Sequence, residues 1–335
     1  MNTTVIASLP SRVICLGEIL FDCLANQLGQ SLNRVQSWTK YPGGATANVA
    51  CALVKLATPT AFIGCIATDS QAEQLLALLD KTGVNTQGVQ RTKQYPTRQV
   101  YVLRSSTGDR SFAGFGDRSP DAFADAYLKS EHLLEKTFLE AEYLVIGTLE
   151  LAYPHSRQAV FRALELAEKY WLKIVLDVNH RENFWLDSTE AKPLIQKLWQ
   201  YVDFLKLSKE EAQWLFNTSD AGAIFYRLNS LEGVVVTDGE AEVSYCISEQ
   251  EGKIKPFSVP VKDTTGAGDA FVAGLINQLC QRKLSSLTTP GVVEQIITYA
   301  CAVGSLTTTN EGAISAQPTD KEVKAFLQNY LQSKK

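Results

Sequence analysis

No Cys-x-x-Cys pair occurs in the chain, although seven cysteines do: Cys15, Cys23, Cys51, Cys65, Cys246, Cys280 and Cys301. Odd in number and set mostly inside apolar runs, they exclude a disulfide framework or a zinc site and read as small core residues of a reducing compartment. No run approaches the roughly 20 apolar residues that a membrane span requires. No charged segment followed by an apolar one stands at the N-terminus, so the expectation is a cytoplasmic protein that uses no membrane. Concentrated positive charge is also missing. The net charge is -4 and the lysines and arginines are scattered, which excludes a nucleic-acid partner. Histidine is scarce, at three residues, and His180 has no placed partner that would make it catalytic. Internal repeats and low-complexity linkers are absent as well.

What is present is 335 residues with 45% hydrophobic content, enough for one large α/β core or two small domains. Alternating strand and helix patterns favour one α/β unit over 8–330 with a mostly parallel sheet. The chain is organised around Asp263-Thr264-Thr265-Gly266-Ala267-Gly268-Asp269-Ala270-Phe271. The run Phe257–Val261 leads in as a strand, and Ala270–Leu279 reads as a helix. Gly266 to Asp269 then stand at a helix N-terminus, where unpaired amides and the helix dipole attract an anion. A Cβ at Gly266 or Gly268 would obstruct the turn or a phosphate's approach. A carboxylate there is poorly placed to bind phosphate but well placed to take a proton from an attacking hydroxyl, so Asp269 is the candidate general base. The stretch is not a Walker A loop, for no Lys-Ser/Thr pair follows the glycines, and it lacks the third glycine of a dinucleotide fingerprint. On these residues alone, an ordinary turn with Asp269 complementing the dipole is an equal reading.

Other candidates fall where the carboxyl ends of strands are expected, which is where open α/β sheets bind ligands. Asp22 follows the first strand, Arg12–Leu16, and either grips a substrate hydroxyl or is a solvated loop acid. Gly43 and Gly44 free the backbone before a small-residue helix on which Asn48 offers an amide that both donates and accepts. Thr60–Ile66 reads as a strand and Gln71–Lys81 as a helix. Arg98–Arg104 and Arg110–Phe115 read as a hairpin around 105–109. With Gln27–Tyr41 they would make a small sheet over the site, a lid formed by insertions at about 24–42 and 95–118. Arg110 either reaches substrate from that lid or, as the more economical reading, makes a cross-strand salt bridge. Asp177 to Trp185 cluster polar groups at a strand end, with Asn179 and Arg181 facing sugar or phosphoryl while Phe184 and Trp185 pack. Glu211 opens a helix and either caps its dipole or holds Mg²⁺ through water. Thr237-Asp238-Gly239 suits a nucleotide. Val292–Val303 is a helix, 304–313 a polar loop, and the tail from Asp320 a surface helix.

From Val13 to Pro318 the chain resembles the ribokinase-like (PfkB) carbohydrate kinases, and within them the fructokinases. The resemblance rests on six collinear stretches: 17–22, 42–48, 108–112, 177–181 with Trp185, 206–211, and the central 263–271. It implies a three-layer α/β fold with a β-sheet lid, and transfer of the γ-phosphoryl of Mg-ATP to the 6-hydroxyl of fructose. It also implies that Asp22, Gly43, Gly44 and Asn48 bind the sugar, that Asp269 is the base, and that the amides of Gly266, Ala267, Gly268 and Asp269 form the anion hole. Ser208, Thr237 and Gly239 would lie along ATP, Glu211 would serve Mg²⁺, and Asp263 and Thr265 match the place of a monovalent cation such as K⁺. Homodimers through the lid are a further implication. The chain departs from the family at Ala67–Ala72, which lacks two glycines and an aromatic, at Glu242 in place of a glycine, and at Cys301 in place of an asparagine. Ser208 replaces an asparagine, as in many fructokinases. A 2-keto-3-deoxygluconate kinase and a catalytically idle sugar-binding homologue are the alternatives.

Overall fold

The computed structural model describes residues 10–106 and 110–333. Thr107, Gly108 and Asp109, the expected hairpin turn and part of one resembling stretch, lie outside the described residues. In chain order the strands are β1 (Val13–Leu16), β2 (Leu20–Ala25), β3 (Trp38–Gly43), β4 (Thr60–Ile63), β5 (Cys65–Ala67), β6 (Gln90–Thr92) and β7 (Gln99–Arg104), then β8 (Arg110–Phe112), β9 (Tyr143–Ile146), β10 (Lys173–Asp177), β11 (Phe204–Ser208), β12 (Gly233–Asp238), β13 (Glu242–Ile247) and β14 (Gln250–Ile254). The α-helices are α1 (Ala45–Lys55), α2 (Ser70–Thr82), α3 (Glu135–Phe138), α4 (Pro154–Lys169), α5 (Ala191–Gln196), α6 (Lys209–Phe216), α7 (Ala221–Leu228), α8 (Ala267–Cys280), α9 (Val292–Thr307) and α10 (Asp320–Ser333).

The main sheet runs β14-β13-β12-β11-β10-β9-β1-β4, parallel from β4 to β12 and antiparallel beyond. Its strands β1, β4 and β9 are buried along their whole length because both faces are covered. β1 shows how: Val13 and Cys15 join the core that contains α1, α8 and α9, whereas Ile14 and Leu16 join the core beneath α4. The next strand of this sheet, β4, lies on one side of β1 and the one after it, β9, on the other, which makes the switch point where such sheets bind ligands. Small residues let α8 and α9 close on each other: a Cβ on Gly274 would fall 2.9 Å from Ala300 Cα.

A separate four-stranded sheet, β3-β2-β7-β8, brings Leu20, Asp22 and Val100 to a cavity that Asn179, just past β10, and Lys206 of β11 also line. Asp22 belongs to its strand β2, so of its two readings the solvated loop acid is removed. Three other local expectations are corrected. Phe257–Val261 pairs with no strand: Pro256 precedes it and Pro260 lies within it, and neither has an N–H to give a ladder. Phe257 packs instead on Phe326 and Tyr330 of α10. Thr60–Ile66 is two strands broken at Gly64, where a Cβ would meet the carbonyl of Gly17 at 2.5 Å. The helix expected to end at Val303 continues to Thr307, so 304–307 is not loop; Thr307 Oγ1 donates back to Val303 O at 2.9 Å.

Candidate active site

Gly266 caps α8 in the left-handed region, at φ +77°, and a Cβ there would stand 2.8 Å from Ala313 Cβ. Only glycine makes this turn without strain. The amides of Gly268 and Asp269 follow within the first turn, where no helical carbonyl is available to them. Asp269 is half-buried beside them, and its Oδ2 accepts from Asn48 Nδ2 at 2.8 Å. Burial, helped by Asp177, pushes the Asp269 carboxyl up to about 6 against the pull of Asn48, Lys206 and Arg181. Asn48 Oδ1 is buried with no partner, an acceptor left for a ligand's hydroxyl.

These groups open on a cavity of about 420 Å³ lined by Asp22, Gly44, Asn48, Asn179, Arg181 and Asp269, among others. Gly43 is glycine because a Cβ would come within 2.8 Å of Asp22 Oδ2. Gly44 turns at φ +108°, with Glu18 O only 2.5 Å from where its Cβ would be. Burial raises the Asp22 carboxyl to about 6, with Arg110 and Arg181 opposing. Asn179 takes φ +38°, in the region that asparagine tolerates better than most residues. Arg181 is exposed at the cavity's margin. Phe184 and Trp185 are buried, and His180 stacks on Trp214 at 4.5 Å.

A larger cavity, about 1020 Å³, lies on the other side of the α8 N-terminus and is lined by Thr237, Gly239, Phe257, Ala267, Phe271 and Cys301, among others. The two cavities share Thr264 and Gly268. An anion reaching through that neck would meet the α8 amides with Asp269 on the far side.

Ser208 lines neither cavity; it caps α6. Its Oγ accepts from Glu211 N at 3.2 Å while Glu211 Oε2 accepts from Ser208 N at 2.7 Å. Glu211 Oε1 accepts from His180 N at 2.7 Å, so the carboxylate also ties the β10 exit to α6. Each oxygen keeps a second lone pair, which suits a water-mediated hold on Mg²⁺, a cation that takes few protein ligands. No group of three or more His, Cys, Asp or Glu among the described residues forms a metal cage.

Asp263 is more fully engaged. Its Oδ1 accepts from Thr265 N (3.0 Å), Thr265 Oγ1 (2.7 Å) and Arg110 Nη2 (3.0 Å), and its Oδ2 from Gly312 N (3.1 Å). Burial pushes this carboxyl up, but the Thr265, Arg110 and Gly312 donors outweigh it and hold it at about 2. Arg110 also donates to Thr265 Oγ1. The guanidinium therefore crosses from the small sheet to the loop before α8 instead of pairing across its own sheet. Arg110 thus holds part of the Asp263 carboxylate that the resemblance matches to the place of a monovalent cation.

The sequence pattern of the pfkB family carbohydrate kinases matches residues 10–320. The chain belongs to that family. Among its relatives, the probable fructokinase-2 of Arabidopsis thaliana is 33% identical over 318 residues, 94% of this chain and 95% of the relative. Among solved structures, the fructokinase with bound ATP from Xylella fastidiosa superposes with a TM-score of 0.86 at 28% identity, covering 96% and 99% of the two chains. A double-mutant fructokinase from Vibrio cholerae O395, in a form binding fructose, ADP and potassium ion, does so at 0.80 and 27% identity, covering 95% and 98%. This carbohydrate kinase is thus a phosphotransferase acting on a sugar hydroxyl, and its architecture is ribokinase-like. No helix among the described residues is long and apolar enough to cross a membrane.

The kinase's departures from its family now have physical places. Asp69, left without its glycines, caps α2 by accepting from Ala72 N at 2.8 Å and also accepts from Thr97 N at 2.9 Å. It ties the α2 start to the root of β7. Glu242 is exposed and pairs with Lys253 at 3.0 Å, outside the residues lining the larger cavity. Cys301 is buried in that cavity's wall. Sequence reading missed Lys206 and Glu18, both at the smaller cavity. Lys206 sits inside an apolar strand, and the only signal was a charge where a buried strand should have none.

Proposed function

We propose that this carbohydrate kinase is a fructokinase that transfers the γ-phosphoryl of Mg-ATP to the 6-hydroxyl of fructose. The observation that carries the reading is Asp269 on the sugar side of a neck formed by Thr264 and Gly268, with the larger cavity on the other side. In this reading Asp22, Asn48, Asn179 and Arg181 hold the sugar beneath a lid from 24–42 and 95–118, and Gly43 and Gly44 leave room for it. Asp269 takes the proton of the primary hydroxyl as that oxygen attacks, and the amides of Gly266, Gly268 and Asp269 receive the phosphoryl charge, that of Ala267 donating instead to Thr264 O at 3.3 Å. The larger cavity takes the nucleotide along Thr237 and Gly239. Mg²⁺ bound to the phosphates, held through water by Glu211, would neutralise their charge. Fructose is favoured because the named relatives are fructokinases. A reducing cytoplasmic location fits seven cysteines that are all unpaired and buried.

The test is a substrate panel with purified protein and its Asp269→Asn variant, in a coupled ADP-release assay. Fructose should give the highest kcat/KM, ahead of 2-keto-3-deoxygluconate. The variant should keep its melting temperature and lose at least about 100-fold in kcat. Near-normal turnover by Asp269→Asn would remove Asp269 from its role, and no turnover of any sugar by the native chain would leave an idle homologue.

A further inference from the structure

Lys206 has no task in the mechanism above, yet it lies under its centre. The side chain is buried on β11, and its ammonium gives one hydrogen bond, to Asp177 Oδ1 at 3.0 Å. An ammonium has three donors. Asp177 Oδ2 is buried without a partner, so the pair is not a closed, two-toothed salt bridge. A Cβ built on Gly268 would stand 3.4 Å from Lys206 Nζ, which puts the charge against the second glycine of the anion hole. Lys206 also lines the smaller cavity with Gly266, Gly268 and Asp269. Burial lowers its tendency to hold a proton, but Asp177, Glu211 and Asp269 more than restore it. A cation kept charged at the neck between two cavities faces the path of any group passed between them.

Building on the proposed phosphoryl transfer, we propose that Lys206 is a catalytic residue: its ammonium gives one N–H to Asp177 and presents the others to the phosphoryl oxygens in transit. The bond from the γ-phosphorus to the bridging oxygen of ADP breaks, and the sugar's O6–P bond forms. The hydroxyl proton goes to Asp269, and Lys206 stays protonated throughout. The competing account is a buried structural pair, and such pairs are often replaced by neutral residues without loss. That difference is measurable.

Lys206→Met should cut kcat at least about 100-fold, the scale of removing one preorganised donor to a developing anion. KM for the sugar should stay within about threefold, since the interaction is made with the phosphoryl group. The acid limb of the pH profile should also move to higher pH, because Asp269 loses a nearby cation. Lys206→Met leaves Asp177 buried and unpaired, so the deciding variant is Lys206→Met with Asp177→Asn, which removes both charges. It should melt near the native temperature and remain as slow as the single variant, while Lys206→Arg regains part of the rate. Native-like kcat in the neutral double variant would overturn the proposal and make the pair structural. If the native protein phosphorylates none of the sugars, the kinase reading has failed separately, and calorimetry with ATP and ADP then decides. The double variant should lose about tenfold of its preference for ATP over ADP, a modest share of what a charged contact contributes, and an unchanged ratio would refute the assignment.

Discussion

Arg98, at the root of β7, allows a stability prediction worked from geometry. Its guanidinium is fully buried, with Nε 2.5 Å from Asp125 Oδ2 and Nη2 3.0 Å from Oδ1. The remaining faces lie over Phe123 at 4.7 Å and over Phe115, Tyr153 and Phe184 at 5.2 Å each. Arg98→Met fills much of the same volume among the rings but strands a buried carboxylate. Removing one partner of such a pair costs roughly 3–5 kcal/mol, against a total stability on the order of 5–15 kcal/mol. Urea unfolding followed by tryptophan fluorescence should therefore show a large drop in midpoint with little change in slope. Adding Asp125→Asn removes the stranded charge and should recover most of the loss. Because Phe184 touches Arg98 and lines the sugar cavity, the single variant should also raise KM for the sugar. A loss below about 1 kcal/mol, the scale of an exposed pair, or a double variant no better than the single, would refute the argument.

Two further outcomes follow from the site. Asp269 acts as base only when ionised, and its carboxyl is held at about 6. The kcat/KM should therefore be level above that pH and fall towards tenfold per unit below it. Asp22 titrates in the same range, so the two carboxylates will show as joint apparent values. A profile that stays flat down to pH 5 would contradict the assignment. Gly266→Ala places a methyl group against Ala313 at φ +77°, a strain of roughly 1–3 kcal/mol. Calorimetry should show lower stability, and turnover should fall further than KM changes.

The sequence made the chemistry at chain turns legible because glycines, caps and carboxylates at helix starts carry local signals. Asp22, Asn48, Asn179, Arg181 and Asp269 come from four separate stretches and line one cavity. The alternation of apolar strands with amphipathic helices was equally readable. Pairings set by distant chain were not. Phe257–Val261 has strand residues, but its prolines and its packing on α10 keep it out of the sheet. The extension of α9 past Val303 depends on Gly304 lying close to Ala267 O, 3.1 Å from where a Cβ would be, which no local pattern shows. Lys206 and Arg98 escaped because a buried cation reads as a flaw in an apolar run until its partner, 29 or 27 residues away, is known. Arg110 was visible, but its reach across to Asp263 was not.

The narrow join between the two cavities has a stereochemical consequence. The two cavities share Thr264 and Gly268, and in the proposed direct transfer Asp269, beside that join, takes the proton rather than the phosphoryl group. Donor and acceptor must then occupy the protein together, and the phosphorus must turn inside out once on its way through, which a chiral thiophosphate would record as inversion.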